Sequence, residues 1–171
     1  ILSEKGEHAQ AAAHYRKAAE QRPGSNLELA ADGRVGDCLF SSYEKGRDPT
    51  MLSQALEEYE KILSRRGAPA QARDQALYKA GRCLELLSRE TKALEYYSEL
   101  IYGYTVDRPG AGAPIWTVKA AQAATAIYLG RKTPEAAKTA VKIYRRLMDM
   151  NPGLSDDYSR IIDEIKKKYK I

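Results

Sequence analysis

Long apolar runs, histidine, cysteine and large aromatics other than tyrosine are all scarce in this 171-residue chain. No segment approaches the ~18 consecutive apolar residues that read as a membrane-spanning helix. The signatures G-x-x-x-x-G-K-[ST], G-x-S-x-G and H-E-x-x-H are absent, so neither a phosphate cradle, a nucleophile elbow nor a zinc-protease helix is indicated. The two histidines, His8 and His14, point in different directions from one helix, and neither has a cysteine or acidic partner at a metal-site spacing; both read as solvated helix surface. The opening "ILSEKGEH" lacks the basic flank and apolar core of a secretory leader. The chain is read below as starting inside a structural unit, so this leaves the compartment open.

What is present describes a folded, charged domain. Hydrophobic residues make up 43 % and charged residues 30 % of the chain, a balance that argues against wholesale disorder. Twelve tyrosines stand against one Phe and one Trp, a bias that suits helix seams half in a core and half in water. The net charge of +5 concentrates in "KKKYK" (166–170), with pairs at Arg65-Arg66 and Arg145-Arg146. Acidic residues interleave almost everywhere else, which reads as a solvated surface rather than the basic stripe of a nucleic-acid binder.

One pattern recurs four times. Ala11, Tyr15 and Ala18 are spaced as small-x3-Tyr-x2-apolar, and the spacing returns at Ala55, Tyr59 and Ile62, at Ala93, Tyr97 and Leu100, and at Ala140, Tyr144 and Leu147. Repetition of this kind decides the architecture before any single element does. Upstream of the third copy, Leu77, Ala80, Gly81 and Leu84 form a second amphipathic segment. Val35, Gly36 and Leu39 stand in the same relation to the second copy, and Ala120, Ala123, Ala124 and Ile127 to the fourth.

This combination resembles the tetratricopeptide repeat, in which two antiparallel helices carry W-x2-L-G-x2-Y, then A-x3-F, then a closing proline. Pro23 and Pro152 stand where that proline falls. A glycine or alanine on the first helix admits the backbone of its neighbour, and the tyrosine of the second helix fills the remaining groove. The tyrosines are spaced more widely than the family's ~34-residue unit, so extra residues are expected at 43–52, 66–72, 103–114 and 129–135. Asp32 occupies a place where the family has a large apolar residue, which puts the start of that helix in question.

The fold expected is all-α, a right-handed superhelical array of antiparallel helix pairs with about eight helices. Residues 1–25 are read as the second helix of a truncated first repeat, 26–69 as repeat 2, 70–107 as repeat 3, and 108–153 as repeat 4 with an inserted loop. Residues 154–171 are read as a C-terminal capping helix, all within one solenoid domain. Asp48-Pro49 and Thr133-Pro134 read as caps followed by a first-turn proline, and Ser155 with Asp156 and Asp157 as the start of the last helix. The first repeat lacks its first helix, so the chain is expected to be a segment of a longer protein with repeats upstream of Ile1.

Cys38 and Cys83 occupy equivalent places in adjacent repeats, about a helix-packing distance apart and beyond disulfide reach; they are expected to be free, buried thiols. The carboxylates Glu57, Glu58 and Glu60 read as surface charges. "RPGAGAP" (108–114) has no preceding strand and reads as a loop. No cofactor, metal or catalytic residue is indicated.

The resemblance implies that first helices line a concave face which receives a peptide or protein. By position this nominates Asp37, Phe40 and Ser41 from repeat 2, Tyr78, Arg82 and Glu85 from repeat 3, and Thr125 and Tyr128 from repeat 4. Phe40, Tyr78, Arg82 and Tyr128 would supply the aromatic-and-arginine mix of binding hot spots, with Arg82 as the sole cation among these places. The implied function is a non-enzymatic scaffold with an unidentified protein partner. Two readings stay open beside it: a structural or regulatory segment of a larger enzyme or envelope complex, and nucleic-acid binding through the basic C-terminal helix. "APAQARDQALYKAG" is also similar to the bacterial cell-envelope subgroup of the family, which implies a periplasmic or envelope-associated setting over a cytoplasmic one.

Overall fold

Proline, glycine and short polar residues punctuate the chain at the points where its helices stop. A computed structural model describes residues 2–103 and 115–171, and these form eight α-helices and one 3-10 turn, with no strand among the described residues. The helices are α1 (Leu2–Gln21), α2 (Asn26–Gly46), α3 (Pro49–Ser64), α4 (Ala70–Leu86), α5 (Glu90–Tyr102), α6 (Ile115–Gly130), α7 (Pro134–Met150) and α8 (Ser155–Tyr169). The glycine-rich segment 108–114, and all but Gly103 of the extra residues expected at 103–114, lie outside the described residues.

Helix starts follow capping chemistry. Asp48 and Thr133 cap α3 and α7, accepting from the backbone N–H of Thr50 (2.9 Å) and Ala136 (3.2 Å), and each is followed by proline. Ser25 caps α2: its hydroxyl accepts from Glu28 N–H, and the Glu28 carboxylate reaches back to Gly24 N–H. This reciprocal S-x-x-E arrangement starts α2 six residues before Asp32, so Asp32 is an interior helix residue and the start of the helix is firm. Ser155 does not cap α8. A 3-10 turn (Pro152–Leu154) leads directly into the helix, with Asp156 and Asp157 in the first turn and Lys166, Lys167 and Lys168 in the last, as the helix dipole favours.

The extra residues expected at 43–52 do not form a loop. They lengthen α2 and α3, leaving only Arg47 and Asp48 between them, and Arg47 takes the left-handed conformation that closes α2 (φ 56°). The residues at 129–135 are likewise absorbed into α6 and α7 around a three-residue turn.

The chain divides into two compact units, Ile1–Ala93 and Leu94–Ile171. In the first, α1 packs on α2, α2 on α3 and α3 on α4, each pair antiparallel because its connection is short. Helix α2 also touches α4, while Arg16 of α1 reaches Glu58 of α3 at 3.4 Å. Two layers result, α1 with α3 and α2 with α4. This layering buries Glu58, which pairs with Arg16 and, at 2.6 Å, with Lys61, so it is not the surface charge the sequence suggests. Glu57 is exposed and Glu60 pairs with Lys92 at 3.3 Å. In the second unit, α7 packs between α6 and α8 around Ala137, Val141, Ile162 and Ile165.

The recurring positions are core positions. Ala55, Ala93 and Ala140 are buried, as are Ile62, Leu100 and Leu147. Tyr59 and Tyr97 are fully buried, Tyr144 is half-buried against Tyr158, and Tyr15 is the exposed member of the series. At the α2–α3 seam the reason for glycine is direct: a Cβ on Gly36 would lie 2.6 Å from Tyr59 Cε1 and 2.9 Å from Cζ. At Gly33, one turn earlier, a Cβ would meet only Ile62 Cδ1 at an ordinary 3.6 Å.

These two glycines are expected to respond with opposite sign. Gly36→Ala should lower stability by about 1 kcal/mol, an overpacking cost of roughly 1–3 kcal/mol exceeding the helix-propensity gain of about 1. Gly33→Ala should raise it by up to ~1 kcal/mol. Urea unfolding of both variants checks the pair.

Candidate protein-interaction site

Helices α2 and α4 lie side by side, and equivalent positions of the two repeats face one another across the gap. A cavity of about 300 Å³ opens there, floored by Tyr59 and Ile62 of α3. Asn26 and Arg34 line it from α2, and Gln71, Gln75 and Lys79 from α4. Asn26, Ala30 and Arg34 recur at i, i+4 and i+8, as do Gln71, Gln75 and Lys79, so each set is a stripe on one helix face.

Asp37 is the electrostatic centre of the cleft. Its Oδ1 accepts from the Tyr59 hydroxyl at 2.9 Å and from Lys79 Nζ at 2.5 Å, while Arg34 approaches Oδ2 at 3.8 Å. The Lys79 ammonium also stands 5.7 Å from the centre of the Tyr59 ring. Burial, and then the neighbouring Asp37 carboxylate, push the Tyr59 hydroxyl far above the ordinary phenol range, so it remains a neutral donor. Three helices therefore meet in one polar contact set above an apolar floor.

Arg34 differs from Lys79. Its side chain is largely exposed, and its contact with Asp37 exceeds hydrogen-bond distance, which leaves guanidinium donors directed at solvent. Each of the amides of Asn26, Gln71 and Gln75 offers both a donor and an acceptor, the pair of functions a peptide backbone presents. The cleft can thus hold an extended polar segment and attract a carboxylate at one point.

Of the residues nominated from sequence, only Asp37 lines this cavity. Phe40 and Ser41 are half-buried further along α2, with Phe40 against Tyr43 at a ring distance of 6.4 Å. Tyr78 is half-buried on α4, and Arg82 pairs with Glu85 of its own helix at 2.7 Å. Tyr128 belongs to the second unit, where the Arg131 guanidinium lies 5.1 Å from its ring centre. Thr125 offers no surface: it is 1 % exposed, and its hydroxyl donates to Gln122 O at 3.0 Å within α6. Arg82 is the one cation among the nominated places, and Arg34 and Lys79, outside that set, bring two further cations to the cleft itself.

Sequence reasoning missed Asn26, Arg34, Gln71, Gln75 and Lys79. The signal was available in the paired i, i+4, i+8 stripes, which stand at equal offsets from Gly36 and Gly81.

The remaining reactive groups are structural. Cys38 is half-buried and Cys83 buried, both as free thiols. Burial raises both thiols, that of Cys83 to about 12. His14 is exposed, but His8 is half-buried and its Nε2 is enclosed without a hydrogen-bond partner, so it is not simple solvated surface. Burial raises the Asp32 carboxyl, with Lys61 opposing the shift and Glu58 and Glu28 adding to it. Among the described residues no cluster of three or more His, Cys, Asp or Glu is placed to hold a metal ion, and no helix is long and apolar enough to cross a membrane.

Comparison with protein families bears on this helical array. The family model described as tetratricopeptide repeat matches residues 75–104, the segment that begins in α4 and runs through α5. The chain thus carries a tetratricopeptide-repeat match over that one helix pair, and the all-helical array around it is consistent with such a repeat. A protein-interaction scaffold, generally without catalysis, is the class this repeat indicates. Comparisons with curated proteins and with solved structures returned no match.

The raised Cys83 thiol has a measurable consequence. The folded chain keeps it protonated while the unfolded chain ionises near pH 8.5. Its contribution to stability should be fully present below that pH and be lost progressively toward pH 12. Iodoacetamide at pH 8.5 should alkylate Cys83 in the denatured chain and leave it intact in the folded one, as read by peptide mass spectrometry.

Proposed function

We propose that this chain is a non-catalytic scaffold that binds an extended segment of a protein partner in the α2–α4 cleft, on the face formed by the first helices of its repeats. The observation that carries the reading is the pairing of two polar stripes, Asn26/Arg34 and Gln71/Gln75/Lys79, across a cavity of about 300 Å³. A groove of amides over an apolar floor matches the alternation of a peptide's backbone and side chains. Lys79 is engaged by Asp37, so Arg34 supplies the outward charge and favours a carboxylate on the partner. Asp37 thereby acts as a positioning residue, fixing Lys79 and the Tyr59 floor rather than reaching the partner alone.

The test separates this cleft from the neighbouring face of the same helices. Peptides are selected from a displayed library against the intact chain, and their affinity is measured for two charge reversals. Arg34→Glu should weaken the selected peptides at least tenfold, while Arg82→Glu, one repeat on and outside the cavity, should leave them within about twofold. Arg34→Glu, at an exposed side chain, should hold stability within ~0.5 kcal/mol, and urea unfolding of both variants checks that half-buried Arg82→Glu remains folded. Equal loss in both variants, or loss only in Arg82→Glu, would move the binding face away from the cleft.

A further inference from the structure

The second unit gathers charge in a way its sequence does not announce. Leu129 O, at the end of α6, accepts both the backbone N–H of Lys132 (3.2 Å) and the hydroxyl of Tyr169 (3.1 Å). One carbonyl thus joins the α6–α7 turn to the last turn of α8, forty residues away in sequence. The basic pair Arg131-Lys132 and the run Lys166, Lys167, Lys168 and Lys170 come to one end of the unit. All are exposed except Lys166, which is half-buried.

Helix capping does not account for this concentration. A helix end carries about half an elementary charge, so the ends of α6 and α8 together call for roughly one cation, not six. Lys132 and Lys170 moreover hold the left-handed backbone conformation (φ 54° and 53°), where a glycine or asparagine would sit with less strain. The carboxylates on the flanking turns are Glu135, Asp163 and Glu164, all exposed. Among the described residues no ion pair joins Lys132, Lys166, Lys167, Lys168 or Lys170 to a carboxylate.

We propose that this end of the second unit is a docking surface for an anionic lipid bilayer. Five of the six cations are lysines, point charges on flexible stems that suit a diffuse field of headgroups better than the bidentate reading of a single phosphate. The two helices that end here, α6 and α8, present carbonyls, and at the start of α7 Pro134 has no N–H while Thr133 caps the Ala136 N–H, so the backbone is poorly disposed to cradle a phosphate. Half-buried Tyr169 and Ile171 pack against the core of the unit, which holds the lysines around them at the surface of this end. The apolar face of α8 is already spent on the unit's core through Tyr158, Ile162 and Ile165. Contact is therefore peripheral and electrostatic, and salt weakens it.

The full chain is sedimented with phosphatidylcholine vesicles, with and without phosphatidylserine, at low and high salt. Binding is expected only to the phosphatidylserine vesicles and only at low salt. Replacing Lys166, Lys167 and Lys168 together by Gln should weaken it on the order of a hundredfold. Lys132→Gln alone should weaken it about fivefold, because the surface is a composite of two segments and not a basic tail. Unchanged helical circular dichroism controls for folding, and Lys17→Gln, at an exposed lysine of α1 in the first unit, should have no effect. Equal binding to phosphatidylcholine alone, no binding to either vesicle, or indifference to the triple replacement would overturn the proposal. So would tighter, lysine-dependent binding to duplex DNA or to polyglutamate than to the vesicles.

Discussion

The contact between the Tyr59 ring and the bare backbone of Gly36 is the constraint on which the first unit depends. A Cβ at Gly36 would collide with the ring, so only glycine admits Tyr59 at this point of the α2–α3 seam. Burying a large ring stabilises the seam by roughly 1.5–3 kcal/mol. Its hydroxyl would cost free energy if left alone there, and Asp37 accepts it. Asp37 in turn needs a counter-charge, which Lys79 provides from α4. One packing decision at a glycine thus propagates through a hydroxyl and a carboxylate to the next repeat.

The same chain of contacts makes the cleft. With Tyr59 held as its floor and Lys79 held against Asp37, the facing stripes of α2 and α4 stay parted enough to leave a groove. The groove's rigid elements are the buried ones, and its exposed amides and Arg34 remain adaptable. Stability is concentrated in the apolar positions of the repeat motif, and the polar positions between them line the cleft.

Much of the fold was legible because it rests on spacing. Small-x3-Tyr-x2-apolar marked the second helices, and Asp48-Pro49 and Thr133-Pro134 marked two of their starts. The S-x-x-E at Ser25 and Glu28 was equally plain and would have settled the start of α2 despite Asp32. The site was less legible for a physical reason. A family register says which helix faces inward, but the cavity depends on where adjacent helices part, and that is set by packing below it. Asp37 is the nominated residue that also lines the cavity, whereas Thr125 is buried because α6 turns it into the interior, which nothing in its local pattern shows. Glu58 shows the same blind spot: a charge within a charged helix face is buried once α1 lies over α3.

The central claim is that Tyr59, Asp37 and Lys79 act as one unit across three helices. A double-mutant cycle of Tyr59→Phe and Lys79→Met, read by urea unfolding, tests it most directly. Coupling through Asp37 predicts an interaction energy of about 0.5–3 kcal/mol. Additivity of the two changes would show that the helices are held by independent contacts and would contradict the account.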